Sequence, residues 1–242
     1  MKLVIVRHGE SEYNKSNLFS GWEDIALTEK GIEEAKEAGR RIRQTEIQFT
    51  AGFTSVLKRS IKSMQYILDE IGQEWLPVDK TWRLNERSYG ALQRLNKAET
   101  ADKRGHELVN RWRKSYDALP PMLETDDPRH PCHDHRYAHV DPRLLPGGES
   151  LKTTLDRVLP CWSDQIAPHL MSGENVLVVS HRNTLRALVK YLENISDEAI
   201  IKVDIPTGIP VVYEFDEKMG IVSKQELSAA FDPQSNAEVS AN

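Results

Sequence analysis

The sequence has 242 residues, of which 29% are charged and 39% hydrophobic, and its formal net charge is -5. This is the composition of an ordinary soluble protein that can bury a substantial core, and the negative charge argues against nucleic acid as the main partner. Two cysteines, Cys132 and Cys161, form no disulfide framework or zinc motif, and no stretch approaches the ~20 apolar residues of a membrane helix. We therefore expect a cytoplasmic protein.

The first predicted element is a buried strand at residues 3–6, where four β-prone apolar residues run into Arg7, His8 and Gly9. Thr28 is a good N-cap for a helix whose apolar residues continue at helical spacing to residue 42. Residues 50–54 indicate a short strand. The next helix carries an apolar face over residues 57–71, and Ser55 is its predicted cap.

In the second half, a helix begins near Ser150 with a predicted kink at Pro160. A strand at 176–180 runs into His181, and a helix follows at 184–192. Residues 209–215 indicate an edge strand, because Pro210 lacks the N–H group that a central strand needs. This alternation predicts an α/β fold of three layers, with a mostly parallel central sheet and helices on both faces.

We predict a single domain over residues 1–226. It contains an irregular insertion at about 117–147, which is rich in Pro, Asp and His and has no hydrophobic period. Residues 227–242 are small and polar apart from Phe231, and are predicted to form a flexible C-terminal tail.

Two histidines follow predicted strands, each with arginine beside it: His8 after Arg7, and His181 before Arg182. Ligands of open α/β sheets bind at the carboxyl ends of the strands. A neutral imidazole can attack phosphorus, and a guanidinium binds phosphate oxygens bidentately. Gly9 would let backbone N–H groups approach the anion. The pattern therefore predicts one pocket for a highly charged anion.

Other residues could serve the same chemistry, and each has an ordinary alternative. Arg59, in the first turn of a predicted helix, points to the same sheet edge or lies on a solvated cationic face. Glu86 is a candidate general acid and base, or a charged loop residue. Arg113 and Lys114 could bind a carboxylate or a second phosphate, or belong to an ion-paired helix surface.

The predicted insertion contains several potential metal ligands. They match no recognised zinc arrangement, and we interpret them as surface residues rather than a metal site: His130, His133, Asp134, His135 and His139.

With these residues assembled, the chain resembles the 2,3-bisphosphoglycerate-dependent phosphoglycerate mutases of the histidine phosphatase superfamily, from residue 3 to about 215. The resemblance depends on several segments, among them Arg7-His8-Gly9-Glu10-Ser11, Leu84-Asn85-Glu86-Arg87 and Leu95-Asn96-Lys97-Ala98-Glu99-Thr100. The run around Lys97 is specific to the mutase branch.

The resemblance implies interconversion of 3-phosphoglycerate and 2-phosphoglycerate in glycolysis and gluconeogenesis, primed by 2,3-bisphosphoglycerate and without metal. It implies that His8 is the phosphorylated nucleophile and Glu86 the proton donor and acceptor, while Arg7, Arg59 and His181 hold the transferring phosphoryl group. The implied substrate-binding residues are Arg7, His8, Gly9, Glu10, Ser11, Asn14, Ser20, Gly21, Arg59, Glu86, Arg87, Ser88, Tyr89, Lys97, Arg113, Lys114, Arg182 and Asn183.

The expected partners are small-molecule phosphoglycerates, with neither nucleic acid nor membrane; a homodimer and a homotetramer both stay open. Residues 216–242 are expected to cover the pocket, as the C-terminal tail does in such enzymes.

Four positions depart from the family pattern. Ser88 replaces a usual His, Arg94 and Arg182 replace usual glycines, and Lys114 replaces a usual Arg. The Arg182 side chain could block the pocket or add a cation to it. Two alternatives to the mutase function follow. One is a phosphatase or bisphosphoglycerate mutase on the same scaffold, and the other is a non-catalytic protein that binds phosphometabolites.

Overall fold

A computed structural model describes residues 1–228, and within this part of the chain six strands form one sheet. The strands are β1 (Lys2–Arg7), β2 (Ala51–Thr54), β3 (Val78–Lys80), β4 (Val176–Ser180), β5 (Pro210–Phe215) and β6 (Ile221–Glu226). Their order is β3-β2-β4-β1-β5-β6, with β3, β2, β4 and β1 parallel and the β1–β5 and β5–β6 pairs antiparallel. The predicted α/β fold with a mostly parallel sheet is confirmed.

Helices cover both faces of this sheet. They are α1 (Glu12–Lys15), α2 (Glu29–Arg43), α3 (Lys58–Ile71), α4 (Lys97–Arg104), α5 (His106–Lys114), α6 (Leu151–Cys161), α7 (Ala167–Met171) and α8 (Arg182–Leu192). Because side chains alternate along a strand, Leu3 and Ile5 of β1 pack with α6 and α8, whereas Val4 and Val6 pack with α2 and α3. The continuous apolar run of β1 is therefore needed to fill two cores.

The pairing of β1 with β4 brings the two strand-end histidines together. The strands are parallel and adjacent, with Arg7 opposite Ser180. The ladder extends one residue further, since His8 N donates to Ser180 O at 3.0 Å. Both strands end at the same edge of the sheet, so the side chains of His8 and His181 start from neighbouring backbone positions.

Three local predictions were wrong. Strand β5 is not an edge strand: it lies between β1 and β6, and Pro210 is tolerated because it is the first residue of the strand. Ser55 does not cap α3, whose N-cap is Leu57. Helix α8 begins at Arg182, two residues before the predicted start. Helix α6 does begin after a Ser150 cap, and the chain forms a π-helical turn directly after Pro160 and Cys161.

Residues 117–147 contain three single 3-10 turns, at Pro131–His133, His135–Tyr137 and Pro142–Leu144. Tyr137 and Leu145 of this segment are buried in a small cluster with Trp22. None of the helices described in residues 1–228 is long and apolar enough to cross a membrane.

The C-terminal end differs in part from its prediction. Residues 216–226 form a turn and strand β6, and none of them lines the pocket described below. The next residue, Leu227, is fully buried, and its backbone bonds to Pro210 O and the Arg41 guanidinium. The rest of the predicted tail, 229–242, lies outside the described residues.

Candidate active site

His8 and His181 meet at the carboxyl edge of the sheet. Their ring centroids are 4.9 Å apart and the planes are inclined by 62°. Both residues are buried, with 3% of His8 and none of His181 exposed. Two imidazoles from distant parts of the chain therefore face each other at one point, as the sequence predicted.

The hydrogen bonds of His8 fix which ring nitrogen is reactive. Nδ1 lies 2.7 Å from Gly9 O, a carbonyl that can only accept, so Nδ1 carries the proton. Nε2 then keeps its lone pair and accepts from Arg59 Nε at 3.3 Å. Burial, and then the charges of Arg59 and Arg7, hold the pKa of His8 well below its usual range. The ring is neutral at physiological pH, with Nε2 as a nucleophile.

A hydrogen bond also indicates which ring nitrogen of His181 carries the proton. Its Nε2 lies 2.8 Å from Ser55 Oγ, which also accepts the backbone N–H of Leu57. The Ser55 hydroxyl proton can therefore go to His181 Nε2, leaving the ring proton on Nδ1. That Nδ1 is buried and has no hydrogen-bond partner among residues 1–228. Since burial also lowers the pKa of His181, followed by the charge of Arg59, the ring is a neutral donor awaiting an acceptor.

Arg59 and Arg7 supply the positive charge around the two rings. Arg59 is buried, and its terminal nitrogens donate to Gly21 O at 2.8 Å and Glu23 O at 2.7 Å. Burial lowers the pKa of Arg59 to about 10, so it remains a cation at neutral pH. Arg7 donates Nη1 to Ile205 O at 2.8 Å, while its buried Nε has no partner in the described chain.

Glu86 lies across the pocket on the loop that follows a 3-10 turn at Trp82–Leu84. Its Oε1 accepts the backbone N–H of Arg87 at 2.8 Å and that of Asn183, in the first turn of α8, at 3.1 Å. Its own carbonyl accepts Trp22 Nε1 at 2.6 Å. One carboxylate oxygen is thus fixed by backbone donors, and Oε2 is the oxygen available to a ligand.

Above the histidines is a pocket lined by ten of the described residues: Arg7, Asn14, Ser20, Gly21, Glu86, Tyr89, Lys97, Arg113, Arg182 and Asn183. Four of them are cations and one is a carboxylate, which suits an anionic ligand with a transferable proton. The enclosed volume is about 70 Å³.

Several predicted site residues lie elsewhere. The Glu10 carboxylate contacts Thr28 and Lys30, and Ser11 caps α1. Lys114 is exposed on α5 and does not line the pocket. Capping, ion pairing and exposure occupy these three side chains in the structure, and their roles in substrate binding stay predictions.

Gly9 is required for a reason other than the predicted approach of an anion. A Cβ at this position would lie 1.9 Å from Gly31 O, so the missing side chain lets the loop after β1 approach helix α2. The Gly9 N–H donates to Ser63 Oγ at 3.1 Å rather than pointing to an open site.

Arg87 and Ser88 lie behind the pocket wall. Arg87 is fully buried, stacks on Tyr89 and donates to its hydroxyl at 2.8 Å. Ser88 borders a second cavity of about 450 Å³, between the loop at 22–25 and the segment 128–137. Arg94 also lines that cavity, with a φ of 72° and an ion pair to Glu23 at 3.0 Å.

The histidines of residues 130–139 stay apart from the pocket. His130 Nδ1 accepts Cys132 N, and His133 Nε2 bonds to Thr125 O. Within residues 1–228, no group of three or more His, Cys, Asp or Glu side chains could hold a metal ion.

Sequence reasoning missed the buried ion pair that supports the Glu86 loop. Arg157 of α6 donates to both carboxylate oxygens of Glu149, at 2.7 and 3.0 Å, and both side chains are at most 5% exposed. The same guanidinium donates to the carbonyls of Arg83, Asn85 and Glu86. Its only sequence signal is an arginine at helical spacing from the buried positions 154 and 161.

Comparison with known proteins agrees with this geometry. The profile of the histidine phosphatase superfamily (branch 1) matches residues 3–130 and 124–226. A "2,3-bisphosphoglycerate-dependent phosphoglycerate mutase 2" of Lactiplantibacillus plantarum is 55% identical over 226 residues, covering 93% of this chain and 98% of the relative. A "2,3-bisphosphoglycerate-dependent phosphoglycerate mutase 1" of Lactobacillus johnsonii is 54% identical, with the same two coverages.

Solved structures share the fold at much lower identity. A phosphoglycerate mutase from Bacillus anthracis has a TM-score of 0.63 at 20% identity, over 88% of each chain. A mycobacterial glucosyl-3-phosphoglycerate phosphatase has a TM-score of 0.66 at 22% identity, over 88% of this chain and 92% of its own. A protein named a mutase and a protein named a phosphatase therefore share this fold.

Proposed function

The chain belongs to the histidine phosphatase superfamily (branch 1) and, within it, to the 2,3-bisphosphoglycerate-dependent phosphoglycerate mutase family, and we propose that it interconverts 3-phosphoglycerate and 2-phosphoglycerate through a phosphohistidine on His8. The observation that carries this proposal is the hydrogen bonding of the two histidines, from which their protonation follows. His8 has an unprotonated Nε2 that accepts from Arg59 Nε, and His181 has a buried Nδ1 with no partner in the described chain.

Phosphoryl transfer requires positioning and charge stabilisation more than covalent chemistry from the protein. Arg7 Nε and His181 Nδ1 are buried donors without partners in residues 1–228. An unpaired buried donor costs about 1–3 kcal/mol, so each of them favours the binding of an acceptor group. A phosphoryl group supplies such acceptors, and Arg59, whose Nε lies 3.3 Å from His8 Nε2, adds charge beside it.

The reaction then uses His8 and Glu86 in alternation. Phosphorylated His8 gives its phosphoryl group to the free hydroxyl of a monophosphoglycerate, the P–N bond breaks and a P–O bond forms, and Glu86 accepts the hydroxyl proton. For the second transfer, His8 Nε2 attacks the other phosphorus atom, and Glu86 returns the proton to the oxygen that leaves. Moving one proton back and forth needs a single carboxylate on the pocket wall.

The bisphosphorylated primer fits the same residues. When bound, it supplies the phosphoryl group that first loads His8. Arg7, Arg59 and His181 would hold the transferring group, while Asn14, Ser20, Gly21, Tyr89, Lys97, Arg113 and Asn183 would contact the rest of the molecule. No step of this scheme uses a metal.

A second function is favoured by a specific observation: a neighbour of the same fold is named a phosphatase. In that case water, instead of a sugar-acid hydroxyl, takes the phosphoryl group from His8. We further propose that residues 1–226 act as one domain and that the protein works in the cytoplasm on small phosphorylated acids.

The test is to incubate the protein with 2,3-bisphosphoglycerate labelled in phosphate and to map acid-labile, base-stable label. We expect label on His8 and none in His8→Asn. The control is His169→Asn, since His169 is half exposed, pairs with Glu174 and lies away from the pocket. Label on another residue, or a normal yield in His8→Asn, would contradict the proposal. Phosphate release that outpaces isomerisation would select the phosphatase.

A further inference from the structure

Asn183 lines the pocket beside Tyr89, and the orientation of its side-chain amide is set by a residue outside the pocket. Arg186, in the next turn of α8, donates Nη1 to Asn183 Oδ1 at 3.0 Å. A guanidinium can only donate hydrogen bonds, so the amide oxygen must face Arg186 and the amide nitrogen must face away from it. That nitrogen, Nδ2, lies 3.3 Å from the hydroxyl of Tyr89.

The Arg186 guanidinium is itself held in one place. It is 1% exposed, and its other bonds go to two backbone carbonyls that follow α8, Ile200 O from Nη2 at 2.7 Å and Val203 O from Nε at 2.9 Å. Burial, and then the charge of Arg182, lower its pKa to about 10, so it remains a cation at neutral pH. It therefore offers Asn183 a permanent donor in a fixed position.

The Tyr89 hydroxyl receives two donors. Asn183 Nδ2 is one, and Arg87 Nη2, at 2.8 Å, is the other. A hydroxyl oxygen has two lone pairs and one proton, so these two bonds use its accepting capacity and leave its proton unused. Burial raises the pKa of Tyr89, but the charge of Arg87 helps to bring it below its usual value. Because Tyr89 lines the pocket, a ligand oxygen there can take this proton.

Without Arg186 the same chain of bonds can run in the opposite direction. The amide of Asn183 is then free to turn over and present Oδ1 to Tyr89, which would donate its proton to Asn183 instead of to a ligand. We propose that Arg186 is a positioning residue that fixes the direction of this chain, so that Tyr89 donates to the substrate. The inference rests on the proposed function and gives Arg186 no contact with the reacting atoms.

The test is a double-mutant cycle between Arg186→Met and Tyr89→Phe. The KM for 3-phosphoglycerate is measured at saturating 2,3-bisphosphoglycerate, so that His8 stays phosphorylated and the substrate presents its hydroxyl. Arg186→Met should raise KM about two- to tenfold, because the substrate must compete with one neutral hydrogen bond for the Tyr89 proton. In Tyr89→Phe, which has no such proton, the same substitution should change KM less than about twofold. We expect kcat to change little in either background, since the lost bond serves binding in the ground state and the transition state alike.

The matched control is Arg41→Met. Arg41 also donates a terminal nitrogen to a backbone carbonyl, that of Leu227, and it lies outside the pocket. The KM should stay at its starting value when this substitution is made in the wild type or in Tyr89→Phe.

Asn183→Asp is a second variant, which decides the question if Arg186→Met does not fold. A carboxylate keeps the bond from Arg186 but turns an acceptor instead of a donor towards Tyr89. Its added charge should raise KM with or without the Tyr89 hydroxyl. Capture of the hydroxyl proton should make the rise larger when Tyr89 is present.

Two results would overturn the inference alone. One is an equal rise of KM with and without the Tyr89 hydroxyl, for Arg186→Met or for Asn183→Asp, which a merely structural role would give. The other is an unchanged KM in folded Arg186→Met. A wild-type protein that forms no phosphoenzyme would instead remove the proposed function, and the inference with it.

Discussion

Replacing Glu149 by Gln tests whether the buried pair with Arg157 holds the Glu86 loop in place. The carboxylate accepts two bonds from Arg157 and one from the Ser88 N–H, at 2.8 Å. The substitution keeps the shape of the side chain but removes its charge, and it turns one acceptor into a donor that faces other donors. The Arg157 cation then stays buried without its counter-charge.

The size of the effect follows from this burial. Breaking a buried ion pair by removing one partner costs about 3–5 kcal/mol. Typical domains have only about 5–15 kcal/mol of unfolding free energy. Glu149→Gln should therefore lower the unfolding free energy by about 3 kcal/mol or more.

Two measurements check this prediction. Urea denaturation gives the unfolding free energy, and steady-state kinetics of the folded variant separate kcat from KM. Because Arg157 also holds the carbonyl of Glu86, we expect kcat to fall more than KM rises. The control is Asp141→Asn, which breaks an exposed pair with Arg143 and should leave both measurements unchanged. A loss below about 1 kcal/mol for Glu149→Gln would refute the reasoning. It would mean that Glu149 is not the only partner of the Arg157 charge, or that water reaches the ion pair.

Three further predictions concern the pocket itself. Glu86→Gln should lower kcat about 10²- to 10⁴-fold, the usual contribution of a general acid or base, and leave KM nearly unchanged. A kcat within tenfold of the wild type in a steady-state assay would exclude Glu86 as the general acid and base. Ser55→Ala leaves His181 Nε2 and the Leu57 N–H without partners, and should lower the unfolding free energy measured in urea by about 1–3 kcal/mol. An unchanged unfolding free energy would show that these hydrogen bonds are not needed for stability. Because burial lowers the folded-state pKa values of His8 and His181, the unfolded chain binds protons first as pH falls below about 6.5. Each histidine should then remove up to about 2 kcal/mol of stability between pH 7 and 5, and His8→Gln should show a correspondingly weaker pH dependence in urea titrations.

The central strands could be predicted from the sequence because each is buried on both faces. Residues 3–6 and 176–180 are continuous apolar runs, and both strands lie within one residue of their predicted bounds. Strand β6 was not predicted, because its residues are mostly exposed and carry no apolar alternation. Strand β5 was predicted but given the wrong place in the sheet. Pro210 lacks only its own N–H group. A proline at the first position of a strand therefore does not indicate whether the later residues pair on one side or on both.

The residues of the candidate site could likewise be predicted only in part. His8, His181 and Arg59 could be identified because their chemistry shows in their residue types and their positions follow from strand ends or a helix start. Gly9 was identified for the wrong reason, since its close contact with Gly31 joins elements that only the folded sheet brings together. Glu149 and Arg157 were missed for the same reason: a buried ion pair looks like two surface charges until the packing is known.

The balance between isomerisation and hydrolysis follows from the arrangement of charge around Glu86. Among the described residues that line the pocket, Glu86 is the one carboxylate, so under the proposed mechanism we expect it to serve as base for a substrate hydroxyl and for water alike. His8 cannot distinguish the two acceptors either, because its Nε2 only presents the phosphoryl group. Under the proposed mechanism we therefore expect selectivity to come from the outer cations, Lys97, Arg113 and Arg182, which would hold an acidic substrate where its hydroxyl excludes water. A phosphatase and a mutase can then share one backbone and the same two histidines, and differ in how firmly the mouth of the pocket holds the acceptor.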